Sequence, residues 1–146
     1  AVINVGGQTI DDTRSFTMEA GGLHVEEDVT PLLKEQFKMP AGYEIPRKLL
    51  ERAVRTGLFR GRGAEHNVEN LINPVRENHA ARISNEISAK WQGAFDLDAV
   101  YLIGGGSILL GDQLAQAMAT SDCPTVRVEA PQFANARGFV KKMLYL

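Results

Sequence analysis

The chain has 146 residues, 44% of them hydrophobic and 23% charged, with a net charge of −2 and a pI near 5.9. That composition belongs to one soluble globular domain with its own core, and it excludes a disordered tail, a staple-dependent miniprotein and a binder driven by phosphate contacts. No apolar run reaches the roughly 18 residues of a membrane span, no signal peptide is expected, and the single Cys123 fits a reducing cytoplasm.

The chain opens directly in an apolar strand, Val2 to Val5, without an initiator Met, so a longer chain cut ahead of Ala1 is expected. That strand enters a turn at Gly6-Gly7. Thr13 to Glu19 alternates and contains β-formers, and Gly21-Gly22 turns into Leu23-His24-Val25, which predicts a three-stranded antiparallel meander. Asp28 followed by Pro31 reads as a helix start, with Leu32, Leu33 and Phe37 as its apolar stripe. Pro40 to Gly42 ends it.

A second helix is expected from Pro46 to Gly57 on Leu49, Leu50, Ala53 and Val54. Leu58 to Gly63 reads as a short strand or loop. The strongest helical signal follows, opened by Asn73 and Pro74: Val75, His79, Ile83, Ile87 and Trp91 recur on one stripe, and Gly93 closes it.

Ala99 to Ile103 is then a continuous apolar strand, ending in Gly104-Gly105-Gly106-Ser107. A helix through Leu114 and Met118 comes next, a strand from Thr125 to Val128, and a last helix from about Phe133 to Leu144. Strand, helix, strand in that order requires a parallel crossover. The expected fold is therefore α/β, with a mixed five-stranded sheet of the meander plus two parallel strands. Residues 1–27 and 67–146 are its core, and 28–66 a small inserted helical subdomain.

Two glycine turns carry the candidate chemistry. In Asn4-Val5-Gly6-Gly7-Gln8-Thr9-Ile10-Asp11, glycines after a buried strand let backbone N–H groups approach an anion, with the Thr9 hydroxyl beside them. Asn4 and Asp11 flank that loop as groups able to orient a water on Mg²⁺. A plain hairpin explains the same spacing. The second turn, Gly104 to Ser107, sits at a helix N-terminus, where the backbone carries roughly half a positive charge. Its three glycines leave a flat surface for a base. A P-loop is excluded because Gly-Lys-Ser/Thr occurs nowhere. A dinucleotide fold is mimicked by Glu129 but fails, with Leu109 at the third glycine and too little chain after Glu129.

Taken together, a strand-Gly-Gly-x-Thr-x-Asp hairpin and, about 90 residues later, strand-Gly-Gly-Gly-Ser-helix resemble the second half of the actin, sugar kinase and chaperone ATPase superfamily. Pro131 to Phe139, with Asn135-Ala136-Arg137-Gly138-Phe139, is similar to the terminal helix of plasmid-segregation actins of the ParM type. The resemblance implies that Gly6, Gly7, Gln8 and Thr9 cradle the β- and γ-phosphates of ATP (or GTP) with Mg. It implies that Gly104, Gly105, Gly106 and Ser107 face the adenosine. Glu51, Arg52 and Arg55 match loosely the family's ribose and base contacts; a solvated helix face is the plainer reading. Asn4 stands where the family has Asp, so either Asp11 covers the role, hydrolysis is slow, or nucleotide is trapped.

The resemblance further implies a bacterial cytoplasmic protein whose other, N-terminal lobe completes the nucleotide site. Filament formation follows as an expectation, as does a DNA-bound adaptor in place of direct DNA contact. A half of a sugar-type kinase and a non-hydrolysing scaffold are the alternatives. Elsewhere, His24-x-Glu26 lacks the following Pro-Cys-x-x-Cys of a zinc deaminase, His66 and His79 have no partners at ligand spacing, and Cys123 shows no sign of activation. Basic residues at 47, 48, 52, 55, 60 and 62 form a local cluster, read as a solvated face or a filament or polyanion contact.

Overall fold

The computed structural model describes residues 4–5, 9–18, 20–92, 96–119 and 123–144. The first strands, β1 (Asn4–Val5) and β2 (Thr9–Ile10), pair antiparallel, with Asn4 opposite Ile10 and Val5 opposite Thr9. The meander stops there. The Asp11 side chain accepts hydrogen bonds from the Thr13 N–H (3.0 Å), the Thr13 hydroxyl (2.6 Å) and the Arg14 N–H (3.3 Å). Its carbonyl accepts from the Ser15 hydroxyl at 2.8 Å. Donors committed to a local turn are lost to a strand ladder, and residues 13–18 form no strand.

Leu23-His24-Val25 is also not a strand. It is the first turn of α1 (Gly22–Gln36). Gly21 caps the helix in extended conformation, and the His24 ring nitrogen Nδ1 accepts the Gly21 N–H at 3.2 Å. The glycine pair is thus a helix entrance. What decides it is the spacing of Val25, Val29 and Leu33, each completely buried on one face. Pro31, read as a start signal, lies inside the helix. Burial of that face outweighs the backbone hydrogen bond a helical proline removes.

The next helix, α2 (Arg47–Thr56), follows Pro46 and ends on Gly57, whose φ of 70° is the left-handed cap the sequence predicts. A hairpin of β3 (Leu58–Gly61) and β4 (Ala64–Asn67) resolves the strand-or-loop question at 58–63. The long helix α3 (Glu69–Trp91) begins ahead of Asn73-Pro74. Val68 and Ile72 are buried there, and the Asn67 side chain accepts the Glu69 N–H at 2.9 Å. Gln92, left-handed, ends it; Gly93 lies outside the described residues.

The parallel pair is as expected: β5 (Val100–Leu102) and β6 (Thr125–Arg127), joined through α4 (Gly106–Met118). A 3-10 turn (Pro131–Phe133) leads into α5 (Ala134–Leu144). Among the described residues the strands form three two-stranded sheets, not one five-stranded sheet.

One buried cluster joins α1, α2, Phe59, α3 and α4, so residues 28–66 share their core with the rest of the chain. A second gathers Ile87, Trp91, Val100, Met118 and Cys123. Ile83 and Leu102 pack against both. Ile72, fully buried at the centre of the first cluster, is the position where a cavity is most costly. Ile72→Ala is expected to lower unfolding free energy by about 2–5 kcal/mol. Urea denaturation measures this, and a loss below about 1 kcal/mol would contradict the packing described.

Candidate functional site: two glycine turns

The second glycine turn is fully described. Gly104 has a φ of 85°, a conformation that favours glycine. Its N–H donates to the Pro131 carbonyl at 2.7 Å, which ties the turn to the segment that starts α5. Its carbonyl accepts from the Ser107 N–H (3.2 Å) and the Ser107 hydroxyl (2.7 Å). Ser107 is buried, so its hydroxyl closes the turn and is not presented to a ligand.

Gly105 and Gly106 differ from Gly104. Gly105 has helical angles (φ −63°, ψ −31°) that any residue adopts. A Cβ placed on Gly105 or Gly106 meets no atom of the described residues within 4 Å. Among the described residues, neither strain nor crowding requires glycine there. The glycines leave an open face at the N-terminus of α4, where the helix dipole and backbone N–H groups favour a polar or anionic ligand.

The first turn is described only at its edges. Asn4 and Thr9 are placed as strand backbone; Gly6, Gly7 and Gln8 lie outside the described residues. Asp11 is occupied. With Oδ1 accepting from Thr13 and Arg14, and Oδ2 lying 3.4 Å from Arg14 Nε, it fits poorly as a holder of hydrated metal. The Thr13 hydroxyl bond, ahead of the opposing effect of burial and the Arg14 contacts, holds its carboxyl below the ordinary value of 3.8. Among the described residues no group of three His, Cys, Asp or Glu could hold a metal ion.

Sequence reasoning missed Arg14. Its guanidinium grips both oxygens of Asp96 (2.9 and 2.6 Å), 82 residues away, and its carbonyl accepts the Trp91 indole N–H at 3.0 Å. One residue thus pins the exit of the first glycine hairpin to the end of α3. No local pattern marks it, because the partner comes from a distant loop.

Glu51, Arg52 and Arg55 are exposed on α2 and line a shallow groove with Lys48 and Thr56. Arg52 pairs with Glu65 on β4. The histidines have structural partners: His66 contacts the Gly61 carbonyl (3.1 Å), and buried His79 bonds Asp28 on α1 at 2.8 Å. Cys123 is buried, and desolvation, then the charge of Asp98, pushes its thiol pKa up. It is no activated nucleophile.

The model of a family described as archaeal actin homologue MreB-like, C-terminal, matches residues 2–116. Among solved structures, Ta0583, an archaeal actin homolog, aligns with a TM-score of 0.79 at 22% identity, over 99% of this chain and 44% of that one. Ta0583 in complex with ADP aligns at 0.73 and 23% identity, over 99% and 45%. A 15-stranded ParM filament from Clostridium botulinum aligns at 0.76 and 17%, over 94% and 39%. No protein of curated function matches. The chain spans less than half the length of these structures.

The Arg14 staple gives a test. Asp96 is held below its ordinary 3.8, first by the Arg14 hydrogen bond. A carboxyl with a depressed folded-state pKa stabilises above the unfolded value and loses that contribution as pH falls through the folded one. The stability gap between the wild type and Asp96→Asn should therefore be widest above about pH 4 and close with further acid. Urea midpoints at several pH values measure it; a pH-independent gap would remove the ion pair from the account.

Proposed function

The chain belongs to the C-terminal family of archaeal MreB-like actin homologues, and from that premise we propose that it is the nucleotide-binding half of an actin-like ATPase. The observation carrying this reading is the open face over Gly105 and Gly106, where nothing among the described residues requires glycine. Adenosine would lie on that face. Gly6, Gly7, Gln8 and Thr9 would cradle the phosphates of ATP (or GTP) with Mg. Bound nucleotide supplies a cleavable phosphoanhydride; the chain's own residues orient it through backbone N–H groups and shield the base. The ADP complex of Ta0583 supports the class of ligand.

Asn4 would stand nearest the metal-bound water. As an amide it positions that water through a hydrogen bond and takes no proton. Asp11 and Arg14 would act as positioning residues that hold the hairpin. Glu51, Arg52 and Arg55 would border the ribose side from α2. Residues 28–66 would be the inserted subdomain that carries them, seated on the shared core.

In this reading the other lobe closes the site, so the 146-residue chain alone binds nucleotide weakly or undetectably. Self-association into filaments in the bacterial or archaeal cytoplasm is supported by the ParM filament among the fold neighbours. Plasmid segregation through a DNA-bound adaptor is the narrower form of the proposal. A non-hydrolysing scaffold is the second reading, favoured by Asn4 alone. No specific observation favours a sugar-type kinase.

In the two-lobed protein, Gly105→Leu should leave the melting temperature within a few degrees and weaken a fluorescent ATP analogue at least about tenfold, or 1.4 kcal/mol. Unchanged affinity would remove adenosine from this face. Light scattering with ATP should rise on assembly; a flat trace with every nucleotide and salt would sink the filament reading. Phosphate release tests the scaffold alternative in the same samples.

A further inference from the structure

Away from both glycine turns, the segment that follows α1, with α2 and the β3–β4 hairpin, borders a half-open cavity of about 240 Å³. Its apolar wall is made by Phe37, Met39, Leu49 and Phe59. Its other side carries Lys38, Arg60 and Arg62, and no acid among the described residues lines it. That volume accepts one bulky side chain and is small for a whole cofactor.

The cations are placed at a conformational cost. Lys38 (φ 45°) and Arg62 (φ 50°) both hold left-handed backbone, where glycine or asparagine is the ordinary choice. Lys38 follows the end of α1, and Arg62 is the first residue of the two-residue β3–β4 turn. Of the four non-glycine residues with left-handed backbone among the described residues, the two cations line this cavity, while Gln92 and Ala130 lie elsewhere. Backbone strain concentrates where a binding surface requires it. Arg62 is held there by donating to the Phe37 carbonyl at 2.9 Å. Charge is also segregated along the chain: between residues 38 and 62 seven Lys or Arg stand against Glu44 and Glu51, in a chain of net charge −2.

We propose that this cavity docks an acidic peptide segment, seating one aromatic or branched side chain against Phe37, Met39 and Tyr43 while Lys38, Arg60 and Arg62 engage the flanking carboxylates. An apolar anchor in a pocket with a charged rim is the pattern that concentrates affinity in a few residues. Single-stranded nucleic acid fits less well: it needs several aromatic faces on which successive bases stack, and Tyr43, 45% exposed, is the one exposed aromatic ring among the described residues that line the cavity.

The proposal is independent of nucleotide binding and is tested on the 146-residue chain itself. The probe is the blocked pentapeptide acetyl-Glu-Asp-Phe-Asp-Glu-amide, titrated into ¹⁵N-labelled protein and followed by amide shifts. Expected are saturable shifts confined to residues 37–43 and 58–63, with affinity falling as salt rises. The same peptide with serine for phenylalanine should bind at least about tenfold more weakly, and so should the wild-type peptide to the Lys38→Glu/Arg60→Glu variant. The serine peptide needs no altered protein, so it decides the matter if that variant does not fold. No shifts at millimolar peptide, equal binding of the serine peptide, or tighter binding of an oligothymidylate of equal charge would each overturn the proposal.

Discussion

Everything described here leans on one buried face of α3. Ile72, Val75, His79, Ala80, Ile87 and Trp91 run down a 23-residue helix, and both hydrophobic clusters are organised along it. Its first half shares a buried cluster with α1, α2, Phe59 and α4; its second half shares another with Val100, Met118 and Cys123. A helix over 30 Å long thus carries one continuous core across two differently built regions. His79 shows how strict the seating is. Its Nε2 bonds Asp28 across the α1 interface, while its buried Nδ1 has no hydrogen-bond partner. A polar group is held in the core with one end unsatisfied, a cost carried by the packing around it.

The sequence made legible what local chemistry decides. The end of α2 at Gly57, the α3 stripe and the order β5, glycine turn, α4, β6 all follow from spacing and from residues with one dominant backbone preference. It misled where two local signals competed for the same residues. Gly21-Gly22 serves a hairpin or a helix entrance equally well, and only the burial of Val25, Val29 and Leu33 selects the helix. Pro31 and Pro74 looked like helix starts, yet both sit inside helices whose apolar faces extend further toward the N-terminus. The expected strand from Thr13 to Glu19 was lost to the side chain of Asp11, which captures the Thr13 and Arg14 N–H groups that a ladder would have used.

The candidate site divides along the same line. Glycines can be found in a sequence, but why they are glycine cannot. Gly104 is a backbone necessity with φ 85°, whereas Gly105 and Gly106 are glycine with nothing among the described residues to demand it. That contrast separates a glycine the turn needs from glycines it does not need. Arg14 was invisible for the opposite reason: its partners, Asp96 and Trp91, lie in a distant part of the chain, and only folding brings them together.

Trp91 is the only tryptophan in the 146-residue sequence. It is nearly buried, and its indole N–H ends on the Arg14 carbonyl, just beyond the first glycine hairpin. The molecule therefore contains its own optical gauge. Emission from one indole in a dry, hydrogen-bonded setting shifts red when water reaches it. The colour of native fluorescence thus reports whether the exit of the hairpin is seated on α3, with no label added and no second chromophore of its kind to blur the reading.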